Sequence, residues 1–162
     1  MDAEASTRQL RYLEPHGPLK PANAAVGLIV DQAGRYLVQL RDAKPTIFFP
    51  DHWGCFGGAL ELGETDEHAL AREIDEELGL DLRQCEVRHF TTFTFDFGFA
   101  SGSVIHRAFF EVKANAESLA NLTLREGREK RLFPGPELLA KQVVPYDRFA
   151  IWMHCYRNEL SR

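Results

Sequence analysis

Residues Gly58 to Leu80 read GALELGETDEHALAREIDEELGL. Glu61, Glu64, Glu67, Glu73, Asp75, Glu76 and Glu77 all fall inside this stretch. An exposed helix ordinarily relieves such crowding with Lys or Arg four residues away. Here the one base nearby is Arg72, which the spacing sets on a different side. The pattern predicts a helix that starts near Thr65 and ends at Gly79. Thr65 suits an N-cap, Asp66 and Glu67 suit the positive end of the dipole, and Gly79 suits the residue past the last turn. At about 100° per residue, Leu70, Ala71, Ile74 and Leu78 share one arc that can dock on a sheet. Glu73, Glu76 and Glu77 stand at i, i+3 and i+4, in a neighbouring arc about 100° wide. The helix therefore reads as a core stripe beside an acid stripe.

Carboxylates on one arc repel each other at ~4–6 Å. Hard divalent ions bound between them relieve that cost. Magnesium takes carboxylate oxygens, waters and substrate phosphate oxygens together, so a phosphate-bearing substrate completes such a site. A bound ion can neutralise a pyrophosphate and lower the pKa of a water. A carboxylate beside that water can act as general base. The residues alone thus point to metal-assisted phosphoryl chemistry. They leave open a calcium-binding helix or one that is simply acidic.

With 162 residues, 44% apolar and 27% charged, the chain fits one globular domain with a real core. A net charge of −5 and a pI near 5.7 argue against a nucleic-acid partner. They are compatible with a small phosphorylated substrate, because bound cations reverse the local field. Cys55, Cys85 and Cys155 are far apart with no C-x-x-C pair, which predicts free thiols in a reducing, cytoplasmic setting. MDAEASTRQL carries no apolar signal core. No apolar run approaches the ~18–20 residues of a membrane span. A homodimer is compatible with the sequence, though no feature demands one.

Residues 1–22, with Pro15, Gly17, Pro18 and Pro21, read as a polar arm before a single domain over 23–162. The arm is either a plain extension or a cover for the site or a dimer contact. Ala24 to Val30 is a continuous apolar run, as in a strand buried on both faces. Asp31-Gln32-Ala33-Gly34 is turn chemistry, and Tyr36 to Arg41 alternates, so the two runs predict a hairpin. Arg41, at the end of the second strand, can reach a substrate phosphate or pair with Asp42. Asp42 to His52 carries Pro45 and Pro50 around Ile47-Phe48-Phe49 and reads as an ordered functional loop. Phe48 or Phe49 is suited to stack on a base or sugar, or else to pack under the loop. Glycines in Trp53 to Gly58 suggest backbone that must come close to something.

Phe93, Phe95, Phe97 and Phe99 recur at strict period two within Arg88 to Phe99, and VIHRAFFEVK returns as a second strand. The aromatic stripe reads as core, with outer members such as Phe95 able to line a pocket. His106 reads as a strand-surface residue. Asn121 to Arg131 holds a short strand at best, around Leu122 and Leu124. A short helix is expected over about 136–141. Phe149, Trp152, Met153, Tyr156 and Leu160 then recur as the apolar stripe of a C-terminal helix that closes the core. The whole predicts an α+β sandwich, a mixed sheet with helices on both faces.

Written with its spacing, the opening stretch is Gly58, five residues, Glu64, seven residues, then Arg72-Glu73-Ile74-Asp75-Glu76-Glu77-Leu78-Gly79-Leu80. This resembles the signature of the Nudix hydrolases at every specified position. The strict match covers Gly58–Leu80, and looser agreement in element order runs over about 24–160. The resemblance implies an α/β/α sandwich and hydrolysis of a nucleoside diphosphate linked to another moiety, such as an NTP, a dNTP or a nucleotide sugar. It implies Mg2+ as cofactor, with Mn2+ as substitute. By the same resemblance, Glu76 and Glu77 are the principal metal ligands, Glu73 is a ligand or the general base, and the Gly57 carbonyl is a backbone ligand. Arg72 holds the catalytic carboxylates in place, and Glu64 is structural. A further ligand or base from a downstream loop is assigned to Glu126, with Glu129 in reserve.

Three alternatives keep the fold. Related GDP-sugar glycosyl hydrolases lack part of the signature, which is intact here. Related isoprenoid isomerases need a catalytic cysteine in a context absent around Cys55, Cys85 and Cys155. A nucleotide sensor predicts eroded carboxylates, whereas Glu73, Glu76 and Glu77 are all present. Substrate choice is left to Arg41, the Asp42–His52 loop and the Phe93–Phe99 face.

Overall fold

A computed structural model describes residues 20–100 and 102–160. Most of the arm expected over 1–22 lies outside them. Strand β1 (Ala24–Val30) is buried at every position, as its unbroken apolar run requires. It pairs antiparallel with β2 (Tyr36–Leu40), through Ile29↔Leu37 and Val30↔Tyr36. The turn between them is closed by the Asp31 carboxylate, which accepts the N–H groups of Ala33 and Arg35 at 3.0 and 2.8 Å. Further along the same edge, β1 pairs antiparallel with β4 (Phe56–Ala59). On its other side it runs parallel to β6 (Val104–Lys113), which pairs antiparallel with β5 (Glu86–Asp96). Short β3 (Trp53–Gly54) and β7 (Glu129–Phe133) both pair with β2. The result is one mixed seven-stranded sheet with the order β3-β2-β1-β6-β5, β4 adding to β1 and β7 to β2.

Helix α1 (Asp66–Leu78) covers one face, and the two buried clusters divide along the sheet. Thr65 caps α1 by accepting the His68 N–H, and Gly79 ends it in the left-handed conformation at φ 68°. Leu70, Ile74 and Leu78 pack with Ile29, Phe56 and Phe110 on that side. Each such fully buried aliphatic side chain contributes ~1.5–3 kcal/mol, so the helix has little freedom to shift. On the opposite face lie α3 (Gly135–Leu139) and α4 (Pro145–Cys155), with Leu138 and Ile151 against Val26, Leu28 and Phe109. Two short helices, α2 (Ala116–Ala120) and α5 (Arg157–Leu160), complete the α-helices of the described residues.

Four local readings of the sequence need correction. First, Ala71 is exposed and Ala69 is buried, so the buried arc of α1 is turned toward Glu77, which is itself buried. Second, β5 stops at Asp96 instead of running to Phe99. The Asp96 carboxylate accepts the Gly98 N–H at 2.8 Å, and the Phe97 carbonyl accepts the amides of Ala100 and Gly102, which bends the chain. Because β5 is the last strand in that direction, no phenylalanine from Phe93 to Phe99 is fully buried. Third, the strand lies at Glu129–Phe133, beyond Leu122 and Leu124. Its half-polar sequence is held by pairing along β2 from Tyr36↔Phe133 to Leu40↔Glu129.

Fourth, α4 docks through Asp147, Ala150, Ile151 and His154, while Phe149 and Trp152 remain 55% and 41% exposed. These two rings stack on each other, nearly parallel. The buried face of α4 joins the apolar packing of Ala150 and Ile151 to polar contacts: His154 bonds Tyr36 at 2.8 Å through Nδ1 and Glu111 at 2.6 Å through Nε2. No helix among the described residues is long and apolar enough to cross a membrane. Cys55, Cys85 and Cys155 are free thiols.

Candidate active site

Backbone and carboxylates meet where β4 passes the flank of α1. Gly57 has φ 132°, and a Cβ there would lie 2.3 Å from the Ala25 carbonyl oxygen of β1. Only glycine tolerates that combination. At Gly58 a Cβ would lie 2.5 Å from Glu73 Oε2. The glycine pair thus lets α1 lay its acids directly on the strand. Glu77 Oε2 accepts the Gly57 N–H at 2.9 Å, and Gln39 Nε2 approaches its other oxygen at 3.4 Å.

Glu77 is 5% exposed. Burial, with the charges of Glu126 and Glu73 adding to it, pushes its pKa from 4.5 up to about 8, against the Gly57 hydrogen bond. A carboxylate held in this way among other acids is suited to a cation. Glu73, Glu77, Glu126 and the Gly57–Gly58 backbone all line one cleft of about 790 Å³. The donors are hard oxygens only, which fits magnesium or manganese and not a soft metal. Among the described residues, no three acidic, His or Cys side chains already converge in metal-binding geometry.

Arg72 spans the acids. Nε and Nη2 donate to the two oxygens of Glu64, each at 2.9 Å, a bidentate pair. Nη1 donates to Glu73 at 2.7 Å and approaches Glu76 at 3.4 Å, and Nη2 also reaches the Ala59 carbonyl at 3.0 Å. Its hydrogen bonds hold Glu64 down to about 2, with the Glu61 N–H adding to them. The expectation that Arg72 faces a different side is therefore corrected: a guanidinium is long enough to reach across to both Glu73 and Glu76. Glu76 is in this network, with its side chain 60% exposed, and is not among the residues lining the cleft.

The downstream loop is pinned to the end of α1. Arg125 N–H donates to the Glu77 carbonyl at 2.9 Å, and its guanidinium to the Asp75 carbonyl at 3.0 Å. Those bonds carry the neighbouring Glu126 into the cleft. Glu129 instead lies in β7 and pairs with Arg131.

The rest of the cleft is aromatic and basic. Arg41 lines it, and Arg41 Nε donates to the Phe48 carbonyl at 3.0 Å, so its partner is the loop and not Asp42, which pairs with Lys44. Phe48 and Phe95 line the cleft. Phe49, at φ 47°, packs on His52 and Tyr146 under the loop. The two readings of the loop phenylalanines are thus divided between the pair. Phe97 and Phe99 also reach the cleft, whereas Phe93 packs on Phe109 and Phe149. His106 bonds Asp66 at 2.7 Å on the strand surface.

Sequence reading missed one group. Arg107 and Tyr146 line the cleft, and Arg107 pairs with buried Asp147 at 3.0 Å. Burial opposes the Arg107 charge, but Asp147, with Tyr146 and Cys55 adding to it, holds the guanidinium protonated. The available signal was an arginine amid the apolar residues of VIHRAFFEVK.

Known proteins resemble this chain in sequence and in fold. The description "NUDIX domain" matches residues 20–153. An 8-oxo-dGTP diphosphatase of Proteus vulgaris is 39% identical over 70 residues, 41% of this chain and 57% of that protein. The nucleoside triphosphatase NudI of Enterobacter sp. strain 638 is 47% identical over 51 residues, 32% of this chain and 36% of that protein. The matches thus span less than two thirds of those relatives' lengths. The structure of a MutT protein from Methanosarcina mazei Go1 superposes with a TM-score of 0.67 at 18% identity, covering 88% of this chain and 99% of that one. That of the E. coli dihydroneopterin triphosphate pyrophosphohydrolase gives 0.60 at 20% identity, covering 83% and 95%. At such identities the two structures speak for the fold alone. Nudix hydrolases depend on divalent cations in general, in keeping with the oxygen donors of the cleft. With the family description matched from residue 20 to 153, the chain belongs to the NUDIX domain family.

Proposed function

We propose that this chain is a divalent-metal-dependent hydrolase that cleaves the phosphoanhydride of a nucleoside diphosphate linked to another moiety. The observation that carries this reading is buried Glu77, fixed by the Gly57 N–H beside Glu73 and Glu126 in a cleft that also has basic and aromatic walls. Nucleoside triphosphates are the first class to test, in line with the names of the curated relatives.

Glu73, Glu77, Glu126 and the Gly57 carbonyl would hold the cation, with Glu76 joining when released from Arg72. Mg2+, or Mn2+ in its place, would supply charge neutralisation at the phosphates and a water of lowered pKa. Arg41 and Lys20 offer positive charge to phosphate oxygens. Phe48 and Phe95 offer flat faces to a base or sugar. A carboxylate of the Glu73 group takes the proton as water attacks phosphorus and the bridging P–O bond breaks. The products are a nucleoside monophosphate and pyrophosphate, or the phosphorylated second moiety. Arg72 orients Glu73 and does not contact substrate. Free thiols fit a reducing compartment such as the cytoplasm.

The test is a panel of NTPs, dNTPs, nucleotide sugars and dinucleoside polyphosphates with Mg2+, read as phosphate released after coupling to a phosphatase. Turnover should need the metal and fall by orders of magnitude in Glu77→Gln. Wild-type turnover in that variant would sink the metal assignment. Tight nucleotide binding without cleavage would favour a sensor.

A further inference from the structure

Arg107 sits on β6, paired across the sheet with Ala24 of β1 and Phe93 of β5. Its guanidinium carbon lies 4.1 Å from the centroid of the Tyr146 ring. Nη2 donates to Asp147 Oδ1 at 3.0 Å, and Asp147 Oδ2 accepts the Cys55 N–H at 2.9 Å. Tyr146 and Asp147 both belong to the first turn of α4. A ring and an immobile carboxylate therefore fix the guanidinium in the wall of the cleft. Arg107 Nε is buried and has no hydrogen-bond partner among the described residues. An unmet donor on a charged group is costly to keep, and an apolar side chain would fill the same space without that cost.

Asp147 compensates the Arg107 charge locally, which makes the pair a poor receptor for a phosphate. Lys20 and Arg41 line the same cleft and form no ion pair among the described residues, so they suit the anionic part better. What the pair offers is directed N–H groups on a rigid plane, beside the flat walls of Phe48, Phe95 and Tyr146. Resting on the hydrolase reading above, we propose that Arg107 is a specificity residue that donates to a carbonyl oxygen on the edge of the substrate's base. An oxo base is then preferred to one with an amino group at that edge, where two donors would face each other.

Inosine and adenosine triphosphates differ only along that edge, 6-oxo with N1–H against 6-amino with a bare N1, and serve as probes, with the full chain and Mg2+. Wild type should favour inosine triphosphate by roughly tenfold or more in kcat/KM, mostly through KM. Arg107→Lys keeps a cation against Asp147 but loses the planar fork, and the ratio should shrink to within about threefold. If that variant melts early, Arg107→Gln with Asp147→Asn removes both charges together and takes its place. Equal use of both nucleotides by wild type, or a preference kept in a folded variant, overturns the proposal and leaves the hydrolase reading standing. Failure to cleave either nucleotide counts against that reading instead. Calorimetric affinities for the pair, with Ca2+ as the ion, then decide the role of Arg107: a tenfold difference lost in Arg107→Lys supports it, and equal or absent binding overturns it.

Discussion

A Cβ on Gly58 would lie 2.5 Å from Glu73 Oε2 and 2.6 Å from Cδ, and the three nearest atoms it would meet all belong to that carboxylate. The obstacle is the far end of a flexible side chain, so the fold can yield by moving Glu73. Gly58→Ala should therefore cost less than ~1 kcal/mol in stability, yet lower kcat/KM by roughly tenfold to a hundredfold, the scale of a misplaced catalytic group. Gly57→Ala is the contrast. Its Cβ would strike the Ala25 carbonyl oxygen at a φ of 132°, and backbone cannot step aside. That variant should be strongly destabilised or fail to fold. Melting curves and initial rates on the two variants check both outcomes.

Arg72 makes a planar, many-armed contact with Glu64, Glu73, Glu76 and the Ala59 carbonyl. A lysine carries the charge but not the fork. Arg72→Lys should lower kcat by roughly tenfold or more, while KM changes by less than ~threefold, because the residue positions Glu73 without touching substrate. Saturation kinetics on the substrate found in the panel give the two constants separately. A loss confined to KM would mean that Arg72 contacts substrate.

Much of α1 was legible because its signals are local: Thr65, Gly79 and the spacing of the acids need no partner strand. The burial of Glu77 was not legible, since a helical wheel sorts by polarity and places a glutamate outside by default. Its place depends on Gly57, twenty residues earlier in the chain, offering an N–H at 2.9 Å. Strand β7 was missed for a similar reason. EKRLF has no alternation of its own and becomes a strand by pairing with β2. In the loops, sequence could name Phe48 and Phe49 but not choose between them, because the choice is made by Tyr146 and His52, which receive Phe49.

The reversed face of α4 gives a direct stability comparison. Ile151 is fully buried, whereas Phe149 and Trp152 are 55% and 41% exposed. Ile151→Ala should cost ~2–5 kcal/mol through lost burial and the cavity left behind. Phe149→Ser and Trp152→Ser should each cost under ~1.5 kcal/mol, despite removing larger side chains. Urea denaturation of the three variants ranks them. The opposite order would mean that the aromatic stripe packs inside after all.

Glu77 contributes a defined part of the pH response of the metal-free protein. Its pKa is about 8 in the fold against an ordinary 4.5, raised first by burial and then by Glu126 and Glu73. A carboxyl raised in this way favours the folded state while it keeps its proton. The contribution is fully present below about 4.5, where both states are protonated, and it is lost as pH climbs through about 8. Between those values the unfolded chain has already given up the proton that the fold retains, so stability falls with rising pH by an amount on the order of a few kcal/mol. Melting temperatures measured in EDTA should decline from about pH 5 to pH 9 by this linkage. Glu77→Gln cannot ionise, so its profile should be flatter over that window and higher at the alkaline end. Saturating Mg2+ should restore the wild type most where the carboxylate is ionised, because the ion binds the fold and not the unfolded chain. Equal slopes for wild type and Glu77→Gln in EDTA would show that another group carries the titration.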